Sequence, residues 1–454
     1  MIIRNLLQDL TKWKSSPDRR PLILRGARQT GKTTLIRLFG ESFEQMVTLN
    51  LDLASDRRNW QGDPDVGTLL RNIEVSKNIR IIPGKTLLFL DEIQNEPKAI
   101  QSLRYLYELH SDLHVVATGS LMEVALQNRG FSFPVGRVSF LYLYPVTFDE
   151  FVLAVGRESV LEELNSLDWK TSPSPALHSL ASEIFEDYAF VGGMPEVVQR
   201  YVTEKSYLPL NALREGLMSS FEEDVPKYAK TSQVPYVQLC VREAPLFAGQ
   251  RICYANFANS GFKSREMRQA FDLLEQAMLI QRVSGTHVTV PPLQPDRKVA
   301  PKLIYLDMGL VAHRLSVDPR SLKQKDLNDL FRGTLAEQIV GQELLAQNRL
   351  RREPPHFWHR YKPGSTAEVD YCISVKGTVI PIEVKSGKGG SLRSLLQFMD
   401  KAPEAHVHTL RIYSGPLQRD ELRTPKGKKV KLLSLPFFLA YRLSTLVERW
   451  VEED

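Results

Sequence analysis

At 454 residues the chain is too long for a single core and has the length of about three domains. Its 43% hydrophobic and 25% charged content is that of a soluble globular protein, with no run of about eighteen apolar residues to cross a membrane. The start, Met1-Ile2-Ile3-Arg4-Asn5, lacks a signal-peptide core, and three scattered cysteines (Cys240, Cys253, Cys372) fit a reducing compartment, so a cytoplasmic protein is expected. A formal charge of +6 permits a polyanionic partner but does not require one.

In chain order, residues 2–13 read as an amphipathic helix and the apolar run 22–24 as a buried strand. Next comes Gly26-Ala27-Arg28-Gln29-Thr30-Gly31-Lys32-Thr33, followed by Thr34 and leucines and isoleucine at helical spacing. This is the P-loop pattern between a strand and a helix. Its glycines let backbone N–H groups turn inward toward phosphate oxygens, where the helix N-terminus adds partial positive charge. Lys32 is expected on the β- and γ-phosphates and the Thr33 hydroxyl on Mg²⁺, with Gly26, Gln29, Thr30, Gly31 and Thr34 completing the cradle.

Residues 46–51 suggest a second strand. The run 86–90 ends in Asp91-Glu92, at the strand end where ligands of parallel sheets bind. Asp91 is assigned to Mg²⁺ and Glu92 to the attacking water as general base, a Walker B pair. A strand at 114–117 ends in Thr118-Gly119-Ser120. Thr118 can sense the γ-phosphate there, and Ser120 can equally cap a helix. Arg137 opens the last core strand, 138–144, and is a candidate arginine finger, in cis or from another subunit. Arg129 rivals it, and an ordinary ion pair fits Arg137 as well.

The strings GARQTGKTT, LLFLDEIQ, VVATGS and VGRVSFLYLYPVTFDEF resemble a prokaryotic family of AAA+-like P-loop ATPases with a long C-terminal region of uncharacterised function. The likeness continues through DYAFVGGMPEVVQ, APKLIYLDMGLVAHRL, GTLAEQIVGQELL and AEVDYCISVKGTVIPIEVKSG, nearly the whole chain. It implies an ATP-hydrolysing core with an extra strand between the two Walker strands, and 114–117 is the candidate for that strand. With no N-K-x-D guanine motif, adenine is favoured.

Beyond the core, residues 148–164 and 182–228 have helical periodicity and read as a lid, set against the core by the turn at Gly192-Gly193. Residues 234–290 suggest a winged helix: helices at 254–259 and 263–274, wing strands at 278–283 and 287–290. Lys263, Arg265 and Arg268 face either DNA or solvent.

In the last third, Lys376-Gly377 reads as a two-residue hairpin loop between β-rich runs. That register sets Asp370 opposite Glu383 and Glu368 opposite Lys385, and strict alternation puts all four on one face. Facing carboxylates repel unless a cation such as Mg²⁺ joins them. The string D…E-x-K, with Glu337 on a helix at 333–346, resembles the PD-(D/E)XK nuclease fold, although Val369 stands where the proline of the name would be. The resemblance implies that Asp370 and Glu383 bind Mg²⁺, Glu337 completes the set and Lys385 orients or acidifies the attacking water on a DNA phosphodiester. A charged edge hairpin and a retained shell used for binding are the other readings. Lys426, Lys428, Lys429 and Lys431 suit phosphate contacts or simple solubility.

The expected fold class is α/β: an AAA+-like P-loop core (1–147), helical lid (148–230), winged-helix domain (231–313) and restriction-endonuclease-like domain (314–454). ATP and Mg²⁺ are the expected cofactors. DNA and nucleotide-dependent self-association, or a homo-oligomer, are the expected partners.

Overall fold

The structure, a computed structural model, describes residues 2–119, 134, 136–317, 333–362, 364–387 and 391–453; Ser120 and Arg129 lie outside them. Five strands, β1 (Leu22–Arg25), β2 (Gln45–Asn50), β3 (Thr86–Asp91), β4 (His114–Thr118) and β5 (Ser139–Tyr142), form a parallel sheet in the order β2-β3-β4-β1-β5. Strand β4 pairs with both β1 (Leu22 beside Val116) and β3 (Leu87 beside His114), so it is the strand expected between the two motif strands. Apolar runs without alternation suit a sheet covered on both faces. Ile23, Leu88, Leu90 and Val115 pack on one side, and Leu22, Leu24, Leu87, Phe89 and Val116 on the other.

Helices Pro175–Val191, Pro195–Glu204 and Leu210–Glu223 form the lid region. Gly193 sits where a Cβ would lie 2.2 Å from the Val146 carbonyl oxygen, and its own carbonyl accepts from the Val146 N–H at 2.7 Å. The Gly-Gly turn is therefore a close backbone approach locking the lid to the exit of β5.

Helix Val234–Glu243, a short turn Phe257–Asn259 and helix Ser264–Gln276 follow, then β6 (Ile280–Val283), β7 (Gly285–Thr286) and β8 (Lys302–Tyr305). Two expectations are corrected here. Residues 254–259 supply one 3₁₀ turn rather than a helix, and the strand partner of β6 is β8, antiparallel, rather than 287–290. The lone pair β7 instead joins the C-terminal sheet, pairing parallel with β9. Neither partner is near in sequence, so local pattern could not choose between them.

That sheet adds β9 (His356–His359), β10 (Glu368–Val375), β11 (Thr378–Val384), β12 (His408–Tyr413), β13 (Gln418–Arg423) and β14 (Lys429–Pro436), in the order β13-β14-β12-β11-β10-β9-β7. Helix Thr334–Gln347 packs on it through Leu335, Ala336, Ile339 and Val340. One apolar core runs without interruption from the lid (Phe185, Phe221) through Phe271 and Leu303 to Tyr371, Ile382 and Trp450. The lid shares this core with one face of the C-terminal sheet, while the other face of that sheet (Trp358 and Val369, with Leu395 and Phe398) and the nucleotide-domain sheet keep cores of their own. Among the described residues no helix is long and apolar enough to cross a membrane.

Candidate functional site

The loop between β1 and helix Lys32–Gly40 turns through Gln29 at φ +62° and Gly31 at φ +92°, conformations that favour glycine at the second position. Lys32 is buried, and its Nζ donates to the carbonyls of Gly26 (3.0 Å) and Ala27 (2.8 Å). Burial brings its pKa down to about 8 against the pull of Glu92 and Asp91. The Thr33 hydroxyl donates to Asp91 Oδ2 at 3.0 Å, and the Thr118 hydroxyl donates to Asp91 Oδ1. Thr33 and Asp91 thus converge as a hard oxygen pair of the kind Mg²⁺ takes. Glu92 follows at φ +53°, a left-handed conformation rare outside glycine, with the Gln94 amide donating to its Oε2.

The other expected nucleotide-site residues fall as follows. The Thr30 hydroxyl donates to the Ala27 carbonyl, Gln29 donates to Ser220 Oγ at 3.1 Å in the lid, and Thr34 is exposed. Arg137 lies before the first residue of β5, on the edge of the sheet opposite the P-loop, bonded to Glu108 at 2.9 Å. A finger acting in cis from Arg137 is corrected by that placement, because the P-loop leaves the other end of β1.

Two supports escaped the sequence reading. Arg4 donates to the Thr30 carbonyl (3.0 Å), the Tyr144 carbonyl (2.6 Å) and Glu150 (2.8 Å), fastening the chain start to the loop. Arg28, inside the motif, is ion-paired with Asp224 at the end of the lid helix. Partners so remote in sequence leave no local signal.

The second site lies on the β10–β11 hairpin. Its loop is Lys376 (φ +48°) and Gly377 (φ +77°), and Val375 pairs with Thr378 and Tyr371 with Ile382. Beyond that pair the strands part, and Asp370 Oδ2 accepts from the Val384 N–H at 2.8 Å. A bulge between Val369 and Cys372 breaks the alternation. Val369 packs with Cys372 and Trp358, on the side opposite Tyr371. The single four-residue charged face is therefore corrected. Glu368 pairs with Arg251 (2.6 Å) and stays in the cluster through Lys302, which lies 3.1 Å from it and 3.7 Å from Asp370.

The structure brings Glu337, Asp370, Glu383 and Lys385 together and adds Lys302 from β8, which sequence reasoning missed. Lys302, 2% exposed, is ion-paired with Glu337 and lies 3.7 Å from Asp370 Oδ1. Burial works against its charge, but Glu337 and Asp370 outweigh it and raise its pKa above the usual lysine value. Burial, reinforced by Asp370, pushes Glu337 and Glu383 above the usual carboxylate range, against the pull of Lys302 and Lys385. Lys385 pairs with Glu383 Oε1, while Glu383 Oε2 is buried with no hydrogen-bond partner among the described residues. A buried orphan oxygen beside Asp370 fits a divalent cation at these two carboxylates. Lys428, one of the four lysines offered for phosphate, is instead buried and donates to the carbonyls of Met399 (3.2 Å), Ala402 (3.1 Å) and Pro403 (2.6 Å).

Comparison with known proteins agrees with the first site. Residues 18–152 match the AAA domain family, residues 182–321 a domain of unknown function (DUF8612) and residues 332–437 another (DUF4143). No curated protein matches the chain. Among solved structures, a Walker-type ATPase of Pyrococcus abyssi is similar at 15% identity and a TM-score of 0.45, over 69% of this chain and 96% of that one. The ORC1 protein of Aeropyrum pernix in complex with DNA is similar at 16% and 0.30, over 71% of this chain and 93% of that one. The RuvB Holliday junction branch migration motor of Thermotoga maritima follows at 14% and 0.29, over 65% of this chain and 92% of that one. Scores this low add nothing to the geometry. Residues 18–152, the stretch that matches the AAA domain family, hold both the P-loop and the acidic end of β3.

Proposed function

We propose that the chain is a Mg²⁺-dependent ATPase whose nucleotide state moves the lid and the C-terminal body fused to it, acting on DNA. The observation that carries the reading is the convergence of Thr33 and Thr118 on Asp91, with Lys32 and Glu92 beside them. Bound MgATP supplies a γ-phosphoryl group that can pass to water. Thr33 and Asp91 would hold the cation, and the Lys32 ammonium would sit against the β- and γ-phosphates. Glu92 would orient the attacking water, and Thr118 holds Asp91 in place. Because Arg28 ties the P-loop to Asp224, a change at the phosphates reaches the lid directly. An arginine finger, from Arg137, would have to come from another subunit.

The DNA assignment is supported by the order helix, turn, helix and β6–β8 pair, which resembles a winged helix, with Arg265 and Arg268 exposed on the second helix and Lys263 exposed at its N-cap. Arg268 also lines a cavity of about 1100 Å³ together with Arg297, Lys298 and Arg352. Glu337, Asp370, Glu383 and Lys385 form a site with the donors a nuclease needs, and Lys385 would orient or acidify water there. The decisive experiment is ATP turnover of wild type and Lys32→Ala, with and without single-stranded, duplex and branched DNA. Turnover lost in the variant and raised by one DNA form supports the reading; equal turnover in both proteins overturns it.

A second reading, an ATP-controlled switch whose C-terminal fold grips a partner without cleaving it, is favoured by Lys302 and Arg251, which already neutralise much of the acid cluster. Incubation with DNA and Mn²⁺ separates the two. Cleavage abolished in Asp370→Ala/Glu383→Ala supports the nuclease, and no cleavage with nucleotide-dependent assembly supports the switch.

A further inference from the structure

The parallel pairing of β7 with β9 sets Gly285 beside Phe357 and Thr286 beside Trp358. One residue further on, His287 and His359 leave the two strands as neighbours, their ring centroids 6.2 Å apart. Asp296 closes over them from the loop leading to β8. Its N–H donates to the Gly285 carbonyl at 2.7 Å, and its Oδ1 accepts from the Lys298 N–H at 3.0 Å. Oδ2 is thereby left to the imidazoles, 3.3 Å from His359 Nε2 and 3.7 Å from His287 Nδ1. His359 Nε2 is buried and makes no hydrogen bond of good geometry.

Two imidazole nitrogens within 3.7 Å of one carboxylate oxygen, without a hydrogen bond of good geometry, are what a metal ion between them would explain. Nitrogen and oxygen ligands about 2.0–2.1 Å from Zn²⁺ stand about 3.3–3.4 Å apart at the corners of a tetrahedron. The two separations to Asp296 Oδ2 approach that edge length, and the three ligand atoms lie within 4.8 Å of one another. The longer edges involve His287, whose half-exposed ring can turn inward. We propose that His287, Asp296 and His359 bind a first-row divalent cation of the Zn²⁺ class, with the fourth position open to solvent on the His287 side. Imidazole with carboxylate selects such ions over Mg²⁺, which sets this site apart from the all-oxygen centres above. The bound ion would staple residues 287–301 to the edge of the C-terminal sheet.

Titration of the full chain with Co²⁺ tests this through the visible absorption of the metal. One equivalent is expected to give the intense band of four-coordinate cobalt, displaced by one equivalent of Zn²⁺. Asp370→Ala/Glu383→Ala should keep the band; His359→Gln and His287→Ala should lose it, the second at a side chain exposed enough to spare the fold. Absence of the band in wild type overturns the proposal. So does a band that persists in both histidine variants, or one that disappears with the carboxylate pair instead.

Discussion

Lys302 of β8 and Glu337 of the helix Thr334–Gln347 form an ion pair that joins the β6–β8 pair to the helix packed on the C-terminal sheet, with the lysine 2% exposed. Its removal leaves Glu337, Glu368 and Asp370 crowded without their cation. Lys302→Met is expected to destabilise the protein by about 3–5 kcal/mol in urea unfolding. Millimolar Mn²⁺ should recover part of that loss by neutralising the same carboxylates; a variant as stable as wild type without metal contradicts this role.

At the nucleotide site, Lys32 and Glu92 have separable tasks. Lys32→Ala should lower ATP turnover by about 10²-fold or more and weaken nucleotide binding. Glu92→Gln should lose turnover and keep binding, because the amide cannot act as a base. Steady-state hydrolysis together with nucleotide-binding titrations reads both.

The Arg28–Asp224 pair fastens the P-loop to the lid, and Lys227 shares the aspartate at 2.6 Å. Arg28 is one-third exposed, so the contact contributes about 1 kcal/mol at most. Asp224→Ala should speed amide exchange in the helix Leu210–Glu223 by up to about fivefold in the nucleotide-free protein, the rate equivalent of that energy. Unchanged exchange would mean the lid is held by its apolar packing alone.

Stability should fall as pH rises through the neutral range. Burial lifts Glu343 from its ordinary 4.5 to about 8, and lifts Asp307 from 3.8 to about 6. A carboxyl that holds its proton more tightly when folded favours the fold fully below its unfolded pKa. That contribution is lost as pH climbs through the folded value. For Glu343 the window runs from about 4.5 to about 8. Its Oε1 accepts from the Phe148 N–H (3.2 Å) and the Tyr188 hydroxyl, and its Oε2 is a buried orphan. Glu343→Gln should flatten the pH profile and stabilise the protein at pH 9 by roughly 1–3 kcal/mol. Thermal melts across pH 5–9 decide it.

Much of both sites was legible because it is local. The P-loop residues 26–33, the acidic end of β3 and the Lys376-Gly377 turn each combine chain neighbours whose side chains or backbone dihedrals are set within a few residues. Turn geometry also sets strand register, so Val375 faces Thr378 as the loop length required. Sequence alone thereby determined a phosphate-binding loop, an acid pair at a strand end and a hairpin bearing Asp370 and Glu383. Tertiary structure alone decided which distant groups join them. Arg4 reaches Thr30, Asp224 reaches Arg28 and Lys302 enters the acid cluster. The bulge at Val369 also broke the strict alternation, and Lys302 rather than strand register keeps Glu368 and Asp370 in one cluster. Charge pairs between remote segments follow from how the elements pack, and a strand has no memory of which partner lies across from it until the sheet closes.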